Sequence, residues 1–174
     1  MRLSVVTVSD SSAEGRRKDL SGPAIVELVN SSTKLRNAKV VAAVTVPDER
    51  AVIEALLVER CSDSDVIITT GGTGFAARDV TPEATIDVVD RRCTGLEVAL
   101  HSHSLAATPL AALSRAVAGI RGKTLIVNFP GSVKAVKECW EVLEPILNHA
   151  VDLLCDQDDG SVHKAMANED VSGK

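Results

Sequence analysis

Residues 66–85 constrain the fold of this chain more than any other stretch. Val66–Thr70 (Val-Ile-Ile-Thr-Thr) is a short apolar, β-branched run, the mark of a strand buried on both faces. It stops at Gly71-Gly72-Thr73-Gly74, three glycines in four residues. There the backbone can take positive φ and a ligand can approach bare N–H groups. Thr81-Pro82-Glu83 then opens a helix, with Thr81 as the expected N-cap, Pro82 at the first helical position and an acid in the first turn. Strand, glycine turn and helix make one βα unit. In open α/β sheets, ligands bind at the carboxyl edge of the strands, where Arg78 and Asp79 sit.

The alternation recurs along the chain. Residues 3–8 and 40–46 are further buried-strand runs, and Thr124–Phe129 is a fourth. Residues 9–20 are polar and read as a long loop, after which Ser21-Gly22-Pro23 starts a helix. Asp48 is placed to cap a helix carrying Val52, Ile53, Leu56 and Leu57 on one side. Residues 95–104 and 109–114 form two short helical pieces. Val133–Leu154 is a long amphipathic helix that Pro145 is expected to kink or divide.

This pattern predicts an α/β fold, a three-layer α/β/α arrangement with a mostly parallel central sheet, over residues 1–155. Residues 156–174 are acidic and aperiodic and read as a flexible tail or linker. Right-handed crossovers would gather Ser9-Asp10, Pro47-Asp48, residues 71–79 and Pro130-Gly131-Ser132 along one edge of the sheet.

Composition excludes several classes of partner. Two Phe, one Trp and no Tyr leave few rings on which to stack single-stranded bases. A net charge of −5 without a Lys/Arg run argues against a polyanionic partner. Cys61, Cys93, Cys139 and Cys155 match neither a Cys-x-x-Cys pair nor a zinc pattern, which suits a reducing compartment. Met1-Arg2 leads straight into a strand-length run and no stretch is long enough to span a bilayer, so the expected location is cytoplasmic.

Gly-Gly-Thr-Gly alone describes many tight turns. Between a buried strand and a helix it becomes a nest for phosphate, since successive N–H groups and a helix N-terminus both favour an anion. No Gly-x-Gly-x-x-Gly is present, and Gly122-Lys123-Thr124 does not end a P-loop, because Val117 stands where its first glycine is needed. Asp48 and Asp79 each follow a strand at the same edge, where the plainer roles are a helix cap for Asp48 and an ion pair with Arg78 for Asp79. Two carboxylates converging on a phosphate nest repel it unless a divalent cation lies between, and Mg²⁺ binds through one or two carboxylates plus substrate phosphates. Pro130-Gly131-Ser132 ahead of a long helix is a second candidate anion site. Ser114-Arg115 offers a hydroxyl and a bidentate phosphate fork.

Taken together, these stretches resemble the MogA/gephyrin G-domain family of molybdenum-cofactor biosynthesis. The resemblance rests on Thr-Val-Ser-Asp at 7–10, Asp-Leu-Ser-Gly-Pro at 19–23, Val-Pro-Asp at 46–48 and the whole of residues 71–85. Leu-Ser-Arg at 113–115, residues 119–132 and Lys-Glu at 137–138 complete it, and the variants at Phe75 and Gly119-Ile120-Arg121-Gly122 are closer to eukaryotic, plant-type G domains. It implies a molybdopterin adenylyltransferase that joins AMP from Mg-ATP to molybdopterin, releasing pyrophosphate, and that acts as a homotrimer. Asp48 and Asp79 match the family's essential aspartates, which would hold the Mg²⁺. Thr73 and Ser114 match positions lining the pterin and nucleotide site, bordered by Asp10, Ser21 and Gly22. Gly71, Gly72, Gly74, Pro130, Gly131 and Ser132 would hold phosphate, and Arg78 or Arg115 would offset charge on pyrophosphate. A molybdate-inserting E-type domain is the expected partner or fusion. The competing expectation is a catalytically idle pterin-binding scaffold that forms a trimeric assembly.

Overall fold

The computed structural model describes residues 1–155. Six strands form one sheet in the order β2-β1-β3-β6-β5-β4. Here β1 is Arg2–Val8, β2 Lys39–Val46, β3 Val66–Thr70, β4 Arg91–Arg92, β5 Ala118–Arg121 and β6 Thr124–Phe129. The first four strands in that order run parallel, while β5 and β4 join antiparallel at one side. The helices are α1 (Asp10–Ala13), α2 (Ser21–Ser31), α3 (Arg50–Arg60), α4 (Thr81–Val88), α5 (Thr94–Ala107) and α6 (Val133–Leu154), with a 3-10 turn at Pro109–Leu113. The three-layer α/β/α architecture expected from the alternation is therefore the one observed.

The period-2 geometry of strands divides the apolar residues between two cores. Leu3, Val5, Val66, Ile68, Leu125, Val127 and Phe129 face α2, α5 and α6, where Ile25, Val29, Leu100, Val136, Trp140, Leu143 and Leu147 cover them. Val6, Val8, Ile67 and Ile126 face α3 and α4 and meet Ile53, Leu57, Ala84 and Val88. Strands β1, β3 and β6 are thus sealed on both faces, and their carboxyl ends are held in register for whatever binds beyond them.

Several local expectations are corrected. Residues 40–46 are not a buried strand: β2 is the edge of the sheet and most of its side chains are exposed or half-buried. The stretch 9–20 is not all loop, since Ser9 caps the short helix α1 by accepting from Ser12 N. Thr81 does not cap α4; it is the first helical residue, and its hydroxyl donates to the Gly71 carbonyl instead. Asp48 does not cap α3, whose N-cap is Glu49 without a side-chain bond. Pro145 does not divide α6, which is helical throughout Val133–Leu154. Pro145 is exposed, so the Glu141 carbonyl it leaves without an amide partner can face water, while buried Leu143 and Leu147 pin the helix on either side. The two short antiparallel strands β4 and β5 have no counterpart in the sequence reading. The tail expected at 156–174 lies outside the described residues.

Candidate functional site

The sheet changes direction of growth between β1 and β3. From β1 the chain proceeds to β2 on one flank, whereas β3 pairs with β6 on the other. The crevice beyond Val8 and Thr70 is thus a topological switch point, where open α/β sheets bind ligands. A polar cleft of ≈ 460 Å³ lies there, lined by the ends of β1 and β3, the first residues of α2 and α6, and both Asp48 and Asp79.

The turn after β3 enters it with Gly71 and Gly72. Gly71 and Gly72 have φ of 96° and 62°. A Cβ on Gly71 would lie 2.3 Å from the Val8 carbonyl oxygen, so the close approach of the two strand ends requires glycine. All four carbonyls of the turn are engaged by protein. The Thr81 hydroxyl donates to Gly71 O (2.9 Å), Thr81 N to Gly72 O (3.1 Å), Arg115 N to Thr73 O (2.8 Å) and Arg115 Nε to Gly74 O (2.7 Å). The amides of Gly72, Thr73 and Gly74, by contrast, meet no acceptor among the described residues. A run of amides left over in this way is a concave donor site for an anion.

The two aspartates stand against this turn. A Cβ on Gly72 would fall 2.9 Å from Asp48 Oδ1, and one on Gly74 would fall 2.8 Å from Asp79 Oδ2. Asp48 is locked to Asp10 by reciprocal bonds: Asp10 N donates to Asp48 Oδ2 (2.7 Å) and Asp48 N to Asp10 Oδ1 (2.9 Å). Asp79 Oδ2 accepts from Ala76 N (3.1 Å). One oxygen of each, Asp48 Oδ1 and Asp79 Oδ1, accepts nothing from the described residues. Burial pushes the Asp48 carboxyl above the ordinary aspartate range, and the charges of Asp10 and Asp79 add to the rise.

A cleft with two mutually repelling carboxylates, each with a spare oxygen, suits a divalent cation. Among the described residues no group of three or more His, Cys, Asp or Glu side chains could hold a metal by itself. Such an ion would therefore need oxygens from the substrate to complete its shell, as Mg²⁺ commonly does.

The fold brings Ser21, Asp48, Gly71, Gly72, Asp79, Gly131 and Ser132 together in the cleft. Thr73, Gly74, Ser114, Pro130 and again Ser132 line a second, mainly apolar cavity of ≈ 380 Å³ that also takes in Leu100, Leu110 and Leu113. The glycine turn and the start of α6 contribute to both. Gly22 faces a groove between α2 and β2.

Asp10, Arg78 and Arg115 line none of the three. Arg78 forks onto Asp10 (2.8 and 3.0 Å), not Asp79, and so holds the Asp10 carboxyl below the usual range. Arg115 donates to Gly74 O and Asp79 O and pairs with Glu83, fastening residues 74–79 to α4. Sequence reasoning misses the role of Asp19, which accepts from Thr7 Oγ1 (2.6 Å), Ser21 N (3.0 Å) and Gly22 N (3.1 Å), tying β1 to the start of α2. An Asp two residues ahead of a helix is a readable signal for that role.

A mostly parallel sheet with an amide nest and paired aspartates at its switch point has the form of an open α/β ligand-binding domain. The chain belongs to the family described as "Probable molybdopterin binding domain", whose model matches residues 4–149. It is 41% identical over 156 residues to the molybdopterin adenylyltransferase of Helicobacter pylori, covering 88% of each chain. It is 44% identical over 155 residues to the molybdenum cofactor synthesis protein cinnamon of Drosophila melanogaster, covering 87% of this chain but only 25% of that protein. Among solved structures, the molybdopterin biosynthesis enzyme MoaB of Thermus thermophilus superposes with a TM-score of 0.80 at 42% identity, covering 88% of this chain and 95% of the other.

Proposed function

We propose that this chain is a molybdopterin adenylyltransferase of molybdenum-cofactor biosynthesis. The observation that carries the reading is the turn at residues 71–74, with every carbonyl bound to protein and three amides left over, flanked by Asp48 and Asp79. Likeness over 88% of each chain to an enzyme of that name supports it. A terminal phosphate oxygen of molybdopterin attacks the α-phosphorus of ATP, the bond from that phosphorus to the bridging oxygen breaks, and pyrophosphate leaves with the electron pair. As a dianion the attacking phosphate carries no proton to be removed, so no general base is required.

The residues act by placement and charge, the usual source of catalysis in such transfers. The amides of Gly72, Thr73 and Gly74 and the first turn of α6 hold phosphate oxygens. The apolar cavity beside Leu100 and Leu113 takes a flat ring. Asp48 and Asp79 would hold Mg²⁺, which neutralises the phosphates when bound. Arg115 keeps the loop that carries Asp79 in place, and Arg78 does the same for Asp10 and, through it, Asp48.

The active unit is proposed to be a homotrimer acting in the cytoplasm. Among the described residues no helix is long and apolar enough to cross a membrane. The length of cinnamon beyond the matched quarter is consistent with fusion to, or partnership with, an E-type molybdate-inserting domain. Incubating the protein with molybdopterin, ATP and Mg²⁺ tests the activity: adenylylated pterin and pyrophosphate should appear in equal amounts. Pterin binding without either product would instead indicate an idle scaffold.

A further inference from the structure

We infer that Arg17 and Lys18 bind the phosphate groups of a substrate in the polar cleft, a role the sequence motifs had given to Arg78 and Arg115. The inference rests on the nucleotidyl-transfer reading for the identity of the anion. Arg78 and Arg115 are already engaged by Asp10, by Glu83 and by backbone carbonyls. The cleft itself is lined by three carboxylates, Asp19, Asp48 and Asp79, and by two cations, Arg17 and Lys18. Neither cation has an acidic partner among the described residues, whereas the preceding Arg16 pairs with Glu14.

The segment that carries them is nonetheless tied down at two points. Arg17 N donates to Ser11 O at 2.9 Å. Asp19, the residue after Lys18, is anchored by Thr7 Oγ1, Ser21 N and Gly22 N. Two long cationic residues therefore line the cleft on a tethered segment, across from Gly71 and Gly72, where the amide nest begins. A guanidinium fork and a mobile ammonium are the two side chains best suited to phosphate oxygens. In an acidic chain of net charge −5, local cations are also what would let a multiply charged anion approach.

Phosphate in this cleft has two sources, the β- and γ-phosphates of ATP and the terminal phosphate of molybdopterin. Calorimetric titration of the full chain with inorganic pyrophosphate, and pterin binding measured by fluorescence, separate them. In Arg17→Ala/Lys18→Ala, affinity for pyrophosphate should fall about tenfold, KM for Mg-ATP should rise by a similar factor, and kcat should change little. The wild-type salt dependence of pyrophosphate binding should flatten. Arg17→Lys/Lys18→Arg should restore most of the affinity, and Arg16→Ala should behave as wild type. A loss confined to molybdopterin affinity would assign the same cations to the pterin phosphate. Unchanged affinity for pyrophosphate and molybdopterin in the double alanine variant would overturn the inference. The binding arms need no turnover, so they stand even if the wild type proves inactive.

Discussion

Asp48 is held at a cost that its chemistry explains. Burial and two neighbouring carboxylates raise its pKa, so its neutral form is favoured by folding relative to the unfolded chain. That contribution is complete below the unfolded pKa and is lost as pH rises through the folded one. At neutral pH the ionised side chain therefore weakens the fold. Asp48→Asn keeps an acceptor for Asp10 N and removes the charge, so thermal denaturation at pH 7 should show a Tm equal to or above wild type, and the difference should shrink as the pH is lowered toward the acid range. Activity should fall by about 100-fold or more in the same variant, and likewise in Asp79→Asn. Arg115 is the opposite case, a residue whose value is structural. Arg115→Ala removes two bonds to loop carbonyls and an ion pair, and should cost about 1–3 kcal/mol in a denaturant titration. Arg115→Lys should not recover it, because an ammonium cannot reproduce the fork.

The turn after β3 is the element on which the site depends, and there the sequence is most legible. A β-branched run, three glycines and a Thr-Pro-Glu helix start locate strand, nest and helix, because each is written in local residues. What escapes such a reading is non-local. Thr81 looks like a cap by position, yet its hydroxyl finds the Gly71 carbonyl ten residues earlier. Asp48 looks like a cap too, until Asp10 arrives from another strand end. Arg91–Arg92 is too polar and Ala118–Arg121 too short to signal a strand; the first is held by pairing with the second, and the second also by pairing with β6. The loop cations Arg17 and Lys18 pass as solvated surface because nothing in residues 11–18 says which cleft they overlook. At this scale the sharpest prediction concerns Gly71. Gly71→Ala combines positive φ with a Cβ 2.3 Å from a fixed carbonyl oxygen, and should destabilise by at least about 2 kcal/mol, roughly 4–8 °C in Tm.

At the scale of the molecule, alternation of strands and helices predicts the three-layer architecture, and the order of strands puts four separate turns at one edge. Which strand is outermost is not legible, because an apolar edge strand reads like a central one. β2 carries Val41 and Val44, each 37% exposed, and Leu110 and Phe75 are more exposed still at 71% and 67%. Apolar surface of this kind is consistent with the proposed self-association. Sedimentation equilibrium should return three times the 18.3 kDa chain mass, and a monomer at micromolar concentration would remove the trimer from the proposal.

The most direct test is a single assay of adenylylated molybdopterin formed from molybdopterin and Mg-ATP by wild type, Asp48→Asn and Asp79→Asn, all shown to be folded. Product and pyrophosphate in equal amounts from the wild type, with at least about a 100-fold loss in each variant, is the expected result. Wild-type rates from either variant, or no product from the wild type, would contradict the assignment of nucleotidyl transfer to this pair of aspartates.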